Sequence, residues 1–432
     1  MTSRVSEVSI GPDGPSTVDA SRPRLFAFDP LSLWIIGSAL TAVAAIYSLW
    51  YSAHEPEMDF QVYRMGGQHS SGSGLYSAHI EVLGRHLVFT YPPVAAFLFW
   101  PISHVPTFAG QVLWDAVNIL TLLALIAVSI AAARARPLDL SDWRTALLLL
   151  APVALLLYPI RSDLALGQIN ILLVLMIVSD LTTDLSWRGR SLPRGVLVGV
   201  AAAVKLTPLV FIPYLVVSRQ WRVARNATVT FALVTGAVFA LSPRASWLYF
   251  TKDAFDVQRV GNSLTIANQT LHAAVVRAHL SPAPGLFDLL EVVVLCGGVA
   301  LAAVARWRSS SLLAALVCAA TGLLLSPISW LHHYVWIVPA LIWLAAGKDR
   351  PAKGACWALV GALVFMVVPP DSAGGSGPLW FVRDNAYVLA TLVFIGSIGV
   401  MLWTRRHAPS PSSTLTSPAS SLPGTRDCGS MQ

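Results

Sequence analysis

Residues Val112 to Arg136 read VLWDAVNILTLLALIAVSIAAARAR, an apolar run long enough to cross about 30 Å of hydrocarbon as a helix and closed by two arginines. Comparable runs recur from Leu31 almost to the C-terminus. Of the 432 residues, 55% are hydrophobic and 12% charged, whereas a soluble domain carries about 25% charged residues. Lipid is therefore the main solvent. Alternating segments of the outer-membrane barrel kind are absent, so the spans are helices, whose backbone polar groups are satisfied within each segment. The expected class is all-α, a polytopic bundle of roughly 10 to 12 transmembrane helices.

The formal net charge is +7, but the basic residues fall in short clusters between apolar runs. They report topology and do not form a nucleic-acid patch. The clusters are Arg22/Arg24, Arg134/Arg136/Arg144, Arg188/Arg190/Arg194, Arg219/Arg222/Arg225, Arg306/Arg308, Lys348/Arg350/Lys353 and Arg405/Arg406. With each on the cytoplasmic side, the apolar stretches between them leave and re-enter in pairs, and both termini lie inside. Gly195 to Val217 is interrupted by Lys205 and Pro208 and reads as a broken helical hairpin. Residues 1–30 and 405–432 are polar and expected to be disordered cytoplasmic ends, leaving 31–404 as the transmembrane domain with an uncleaved first span. Cys296, Cys318, Cys356 and Cys428 lack disulfide or metal spacing.

This topology leaves Ser52 to Gln111, Pro159 to Asp163, Ser242 to Leu286, Ser326 to Tyr334 and Pro369 to Asn385 on the non-cytoplasmic side. Most of the polar residues other than arginine fall there. The first loop opens as HEPEMDFQVYRMGGQ, with Asp59 beside Tyr63 and Arg64 near the membrane boundary. A carboxylate there suits a general base acting on a sugar hydroxyl. It equally fits a solvated loop acid or a helix cap, and Glu55 and Glu57 compete for the role. The loop closes with FTYPPVAAFLFWPISHVP, too short to span and suited to lie in the interface or pack on the bundle.

In LLLSPISWLHHYVWIVPA, Ser326, Trp330, His332 and His333 stand at the start of a span. Ionisable groups at membrane depth are costly and usually functional, and neighbouring histidines on a helix diverge by about 100°, so one of the two faces a given ligand. Lys205 in AAAVKLTPLVF calls for an anionic partner such as a phosphodiester, or else snorkels to the interface. Arg161 and Asp163, followed by Gly167, Gln168 and Asn170, form another polar cluster. GNSLTIANQTLH places Asn268 and Gln269 as amides able to read hydroxyls. Phosphate-binding glycine loops, zinc-protease helices and nucleophile elbows are absent, which favours an activated lipid over a nucleotide donor.

Taken in order, MDFQVY, TYPP, GQIN, VKLTP, NQT and SPISWLHHYVW resemble the actinobacterial membrane glycosyltransferases of the GT-C fold, family 87, over roughly Leu31 to Trp403. Within that family the histidine segment looks most like the polyprenyl-phosphate-mannose-dependent α-1,2-mannosyltransferases of the PimE type, which extend phosphatidylinositol mannosides. Lipomannan-branching α-1,2-mannosyltransferases and arabinofuranosyltransferases share parts of the pattern. A lipid or sugar transporter is the non-enzymatic alternative, since broken helices with a buried lysine also serve transport.

The resemblance implies an inverting transfer in the plasma membrane, with the active site on the periplasmic side. Asp59 would be the catalytic base, and His332, His333, Lys205 and Arg161 would hold the donor phosphate. Tyr63, Arg64, Gln168, Asn170, Asn268, Gln269 and Trp330 would line the substrates. No cofactor is expected, and no divalent metal, because the first loop offers no Asp-x-Asp pair. The expected partners are the polyprenyl-phosphate-mannose donor, a mannosylated glycolipid acceptor and membrane lipid.

Overall fold

A computed structural model of the chain describes residues 57–72, 74–133, 143–187, 189–261, 265–280, 283–346 and 377–404, with scattered positions in 35–50 and 357–365. The expected disordered ends, most of the first span and Glu55 lie outside the described residues.

The described chain is helical apart from two short hairpins. In order, the elements leading to the site are α1 (Met58–Gln68), α2 (Pro93–Ser103), α3 (Thr107–Ala133), α4 (Trp143–Leu156), α5 (Tyr158–Leu166), α6 (Asn170–Thr182), α7 (Val196–Val204) and α8 (Phe211–Val217). There follow α9 (Trp221–Leu241), α10 (Pro243–Thr251), α11 (Leu271–Arg277), α12 (Pro284–Arg308), α13 (Ser311–Leu325), α14 (Ile337–Ala345), α15 (Pro378–Asp384) and α16 (Ala386–Thr404). A 3-10 turn at Thr207–Val210 joins α7 to α8, and a 3-10 helix, Leu331–Trp336, leads into α14.

Among the described residues, four helices, α3, α9, α12 and α16, are long and apolar enough to cross a membrane, and a fifth span results if the bent pair α5 and α6 is taken as one. This makes the chain a multi-pass membrane protein of the all-α class. The number read from hydropathy includes Leu31 to Tyr51 and Ala358 to Val368, which lie largely outside the described residues, and several of the other apolar stretches are divided into shorter helices. The stretch from Gly195 breaks at Lys205, as its Lys and Pro suggest. The histidine span begins with its 3-10 helix.

The helices sort their faces for lipid. On α3, Gln111, Trp114, Asp115, Asn118 and Leu122 point inward at helical spacing, whereas Leu113 and Leu120 are exposed. Exposed apolar side chains also run along α9 (Val229, Leu233), α12 (Leu289, Val292, Val293) and α16 (Val393, Val400). Exposed apolar surface extended over several helices suits acyl chains. The β-hairpin His79–Val82 with Arg85–Val88 was not anticipated; it turns through Leu83 and Gly84, both at positive φ, the conformation that two-residue hairpins favour.

Side-chain bonds draw several arginine clusters to one end of the bundle. Asn226 Nδ2 donates to Arg194 O at 2.9 Å, Trp307 Nε1 to Ser218 O at 3.3 Å, and Arg308 Nη1 to Leu402 O at 3.2 Å. At the same end Asp180, in the last turn of α6, accepts the amides of Gly195 (2.8 Å) and Val198 (2.9 Å), satisfying donors at the start of α7. Gly195 is at φ 101°, and a side chain there would meet the backbone of α9. Helices α6, α7 and α13 therefore each have one end near the arginines and carry Asn170, Lys205 or Ser326 at the other.

Candidate active site

The site is organised by a bend of 118° between α5 and α6. Gly167, at φ 68°, closes α5 with its amide bonded to Leu164 O, and Gln168 N donates to Asp163 O. Only glycine fits here: a Cβ would lie 2.4 Å from Glu57 Oε2 and 2.7 Å from Phe60 Cβ, besides requiring the left-handed conformation. Trp114 Nε1 ties the Gly167 carbonyl to α3 at 2.8 Å. The turn thereby delivers Asp163, Gln168 and Asn170, all buried, to one place.

From that turn a hydrogen-bonded chain of polar side chains runs in both directions. Gln168 Nε2 donates to Asp59 Oδ2 at 2.7 Å. Asn170 Nδ2 donates to Asp163 Oδ1 at 2.7 Å and lies 3.4 Å from Gln168 Oε1. Asn170 Oδ1 in turn accepts from Lys205 Nζ at 2.8 Å, and Lys205 Nζ is 3.3 Å from His333 Nε2. Carboxylate, amides, ammonium and imidazole thus form one network built from four separate parts of the sequence.

Asp59 sits in the second position of α1 and is half-buried. Burial raises its pKa from 3.8 to about 6, against the opposing pull of the Gln168 hydrogen bond and the Lys205 charge. A carboxylate poised near neutrality and still ionised at pH 7 is suited to proton abstraction.

On the far side of Lys205 a cavity of about 60 Å³ opens between α6, α8, α13 and the histidine segment. Its polar end carries Asn170, Lys205, Ser326, Ser329 and His333; its walls are apolar, among them Leu173, Phe211 and Trp336. His333 lines this cavity, whereas His332 is buried with Nε2 unpartnered and meets His333 edge-on at 4.8 Å. His333 is the histidine that faces the site.

Several candidates have other work. Arg64 Nη1 donates to the carbonyls of Ile102 (2.9 Å) and Val105 (2.5 Å), fastening α1 to the end of α2. Arg161 is exposed, with its guanidinium 5.7 Å from the Tyr158 ring centre, and does not join Lys205. Asn268 Oδ1 accepts from Ser329 N at 2.9 Å and Asn268 bridges Trp330, so both brace the SPISW turn. Gln269 donates to Ile266 O (2.7 Å) and Asp384 O (2.8 Å) and is fully buried. These amides satisfy backbone and leave no face for a sugar. Helix α2 both packs inward through Ala95, Ala96 and Phe99 and exposes Leu98 and Trp100, combining the two readings of its stretch.

Tyr63 is fully buried, stacked on Phe99 with ring centres 4.1 Å apart, and its hydroxyl reaches Gln168 Oε1 at 2.8 Å. Tyr91, which sequence reasoning passed over, reaches the same oxygen at 3.1 Å. Its place in the TYPP motif was the available signal. Among the described residues, no group of three or more His, Cys, Asp or Glu side chains comes together to hold a metal ion.

Comparisons with known proteins agree with this architecture. Glycosyltransferase family 87 matches residues 89–327. A protein of Mycobacterium tuberculosis described as a polyprenol-phosphate-mannose-dependent alpha-(1-2)-phosphatidylinositol mannoside mannosyltransferase is 32% identical over 370 residues, covering 78% of this chain and 83% of the relative. Another from the same species, described as the corresponding pentamannoside mannosyltransferase, is 34% identical over 326 residues, 72% of this chain and 73% of its own. A Mycolicibacterium smegmatis phosphatidylinositol mannoside mannosyltransferase is 30% identical over 419 residues, 89% of this chain and 93% of the relative. No solved structure matches. By the extent of the family match and of these relatives, the chain belongs to glycosyltransferase family 87.

Proposed function

We propose that this enzyme moves mannose from a polyprenyl-phosphate-mannose donor to the 2-hydroxyl of a mannosylated phosphatidylinositol, with inversion at the anomeric carbon. Donor and acceptor follow the names of the relatives, which are similar over most of their length. The observation that carries the chemistry is the network from Asp59 through Gln168, Asn170 and Lys205 to His333. It supports reading Asp59 as the base and Lys205 with His333 as the phosphate grip, linked through Gln168 and Asn170.

Asp59 takes the proton of the acceptor hydroxyl. As that O–H bond breaks, the oxygen attacks the anomeric carbon, and the bond from that carbon to the phosphate oxygen breaks with its electron pair passing to the phosphate. Lys205 and His333 hold the phosphate and stabilise the charge that gathers on it. A β-linked mannosyl phosphate gives an α-linked product, and no covalent enzyme intermediate is needed. The apolar wall beyond Lys205, with Leu173, Phe211 and Trp336, is the side from which the lipid chain of the donor approaches. No divalent metal enters this scheme; Lys205 supplies the positive charge.

The reaction face is the end of the bundle remote from the arginine clusters. By the positive-inside rule that face is periplasmic and both termini are cytoplasmic. The test is to incubate the purified protein with labelled polyprenyl-phosphate-mannose and a phosphatidylinositol mannoside, then treat the product with an α-1,2-specific mannosidase. Labelled glycolipid that loses its label on treatment is the expected result. Label that crosses a vesicle membrane while remaining on the donor lipid would instead mark a transporter.

A further inference from the structure

No step of the transfer described above uses Tyr91, yet it touches both halves of the site. Its hydroxyl lies 3.1 Å from Gln168 Oε1 and 2.9 Å from the hydroxyl of Tyr63, which itself lies 2.8 Å from the same amide oxygen. An amide oxygen met by phenol hydroxyls fixes the opposite NH2 group toward Asp59; the reverse flip would set an oxygen against the carboxylate. The face of the Tyr91 ring also lies 5.4 Å from Lys205 Nζ, within the range of a cation–π contact.

The residue is held in turn from behind. Tyr76 OH donates to Tyr91 O at 2.8 Å, Arg259 Nη2 donates to Tyr76 O at 2.8 Å, and the next residue, Pro92, is the N-cap of α2. A side chain fastened in this way is equipped to impose an orientation on its neighbours.

We propose that Tyr91 is a positioning residue that couples the base to the phosphate grip: its hydroxyl orients the Gln168 amide that aims Asp59, and its ring holds the Lys205 ammonium. This rests on the roles given above to Asp59 and Lys205. The titratable groups facing Asp59 are Tyr63 on its own helix, Tyr91, Asp163 and Lys205, with Glu57 two residues earlier in the chain. Loss of the oriented Gln168 donor removes an interaction that favours the ionised carboxylate, so the acid limb of activity moves to higher pH.

Two substitutions separate the arms. Tyr91→Phe keeps the ring and removes the hydroxyl; it is expected to lower kcat about tenfold, the effect of one lost hydrogen bond to a working group, with the larger loss on the acid side and the donor KM unchanged. Tyr91→Leu also removes the ring, and it is expected to raise the donor KM about threefold or more. The full-length enzyme is assayed from pH 5 to 9 with both substrates varied, alongside Asp59→Asn. Wild-type kcat and acid limb in Tyr91→Phe, or equal donor KM values in the two variants, would overturn the proposal. Should the Tyr91 variants fail to fold, Tyr63→Phe removes the partner hydroxyl and must shift the acid limb in the same direction; an unmoved limb there overturns it too. Full activity in Asp59→Asn would instead overturn the reading of the base, whereas an inactive Asp59→Asn beside a wild-type-like Tyr91→Phe would overturn the coupling alone.

Discussion

Lys205 Nζ bonds Asn170 Oδ1 at 2.8 Å, and the two residues mark the site ends of adjacent helices running in opposite directions. Asn170 opens α6, which runs toward the arginine face, and Lys205 caps α7, which returns from it. The cation is thereby placed where the helix stops, with Pro208 just beyond preventing the span from continuing unbroken.

Lys205→Met is predicted to lower kcat/KM for the donor by about 100- to 1,000-fold, the usual cost of one group stabilising transition-state charge. Lys205→Arg is expected to recover part of the loss, because the charge remains while its geometry against Asn170 changes. Steady-state kinetics with varied donor, with the acceptor saturating, check both.

Activity is predicted to fall on the acid side with a midpoint near the pKa of about 6 that burial gives Asp59. Stability moves the opposite way. With the folded pKa above the unfolded value of 3.8, the folded state binds the extra proton between these values, so this group's cost to stability is present above pH 6 and relieved as pH falls toward 4. Asp59→Asn should therefore unfold at no lower temperature than wild type at pH 7, checked by thermal melting in detergent.

Asn268→Ala is predicted to cost about 1–3 kcal/mol, because it leaves the buried Ser329 amide without its acceptor. A lowered melting temperature, with the acceptor KM of the surviving enzyme unchanged, is expected. A raised acceptor KM at unchanged stability would return Asn268 to the role of hydroxyl reader.

Much of this molecule was legible in the chain because lipid imposes simple rules. Apolar runs of span length gave the helices, and arginines gave a shared face that Asn226, Trp307 and Arg308 then join by hydrogen bonds. The break at Lys205 was readable from one charge and one proline. What spacing could not supply was the consumption of polar groups by folding. Asn268 and Gln269 look like sugar-reading amides until their bonds to Ser329, Ile266 and Asp384 are seen. Arg161 and Lys205 look alike as phosphate partners, yet one lies exposed beside Tyr158 and the other is bonded to Asn170 and His333. The meeting of Gln168 with Asp59 and Tyr91 joins residues 109 and 77 positions apart, a closeness that only the bent turn at Gly167 creates.

The most direct test is the rate of mannose transfer by Asp59→Asn with saturating donor and acceptor at pH 7.5. Removing the proton acceptor while keeping its shape should cut kcat by about 100- to 10,000-fold and leave donor binding intact. Undiminished turnover with this near-isosteric amide would contradict the assignment and place the proton elsewhere.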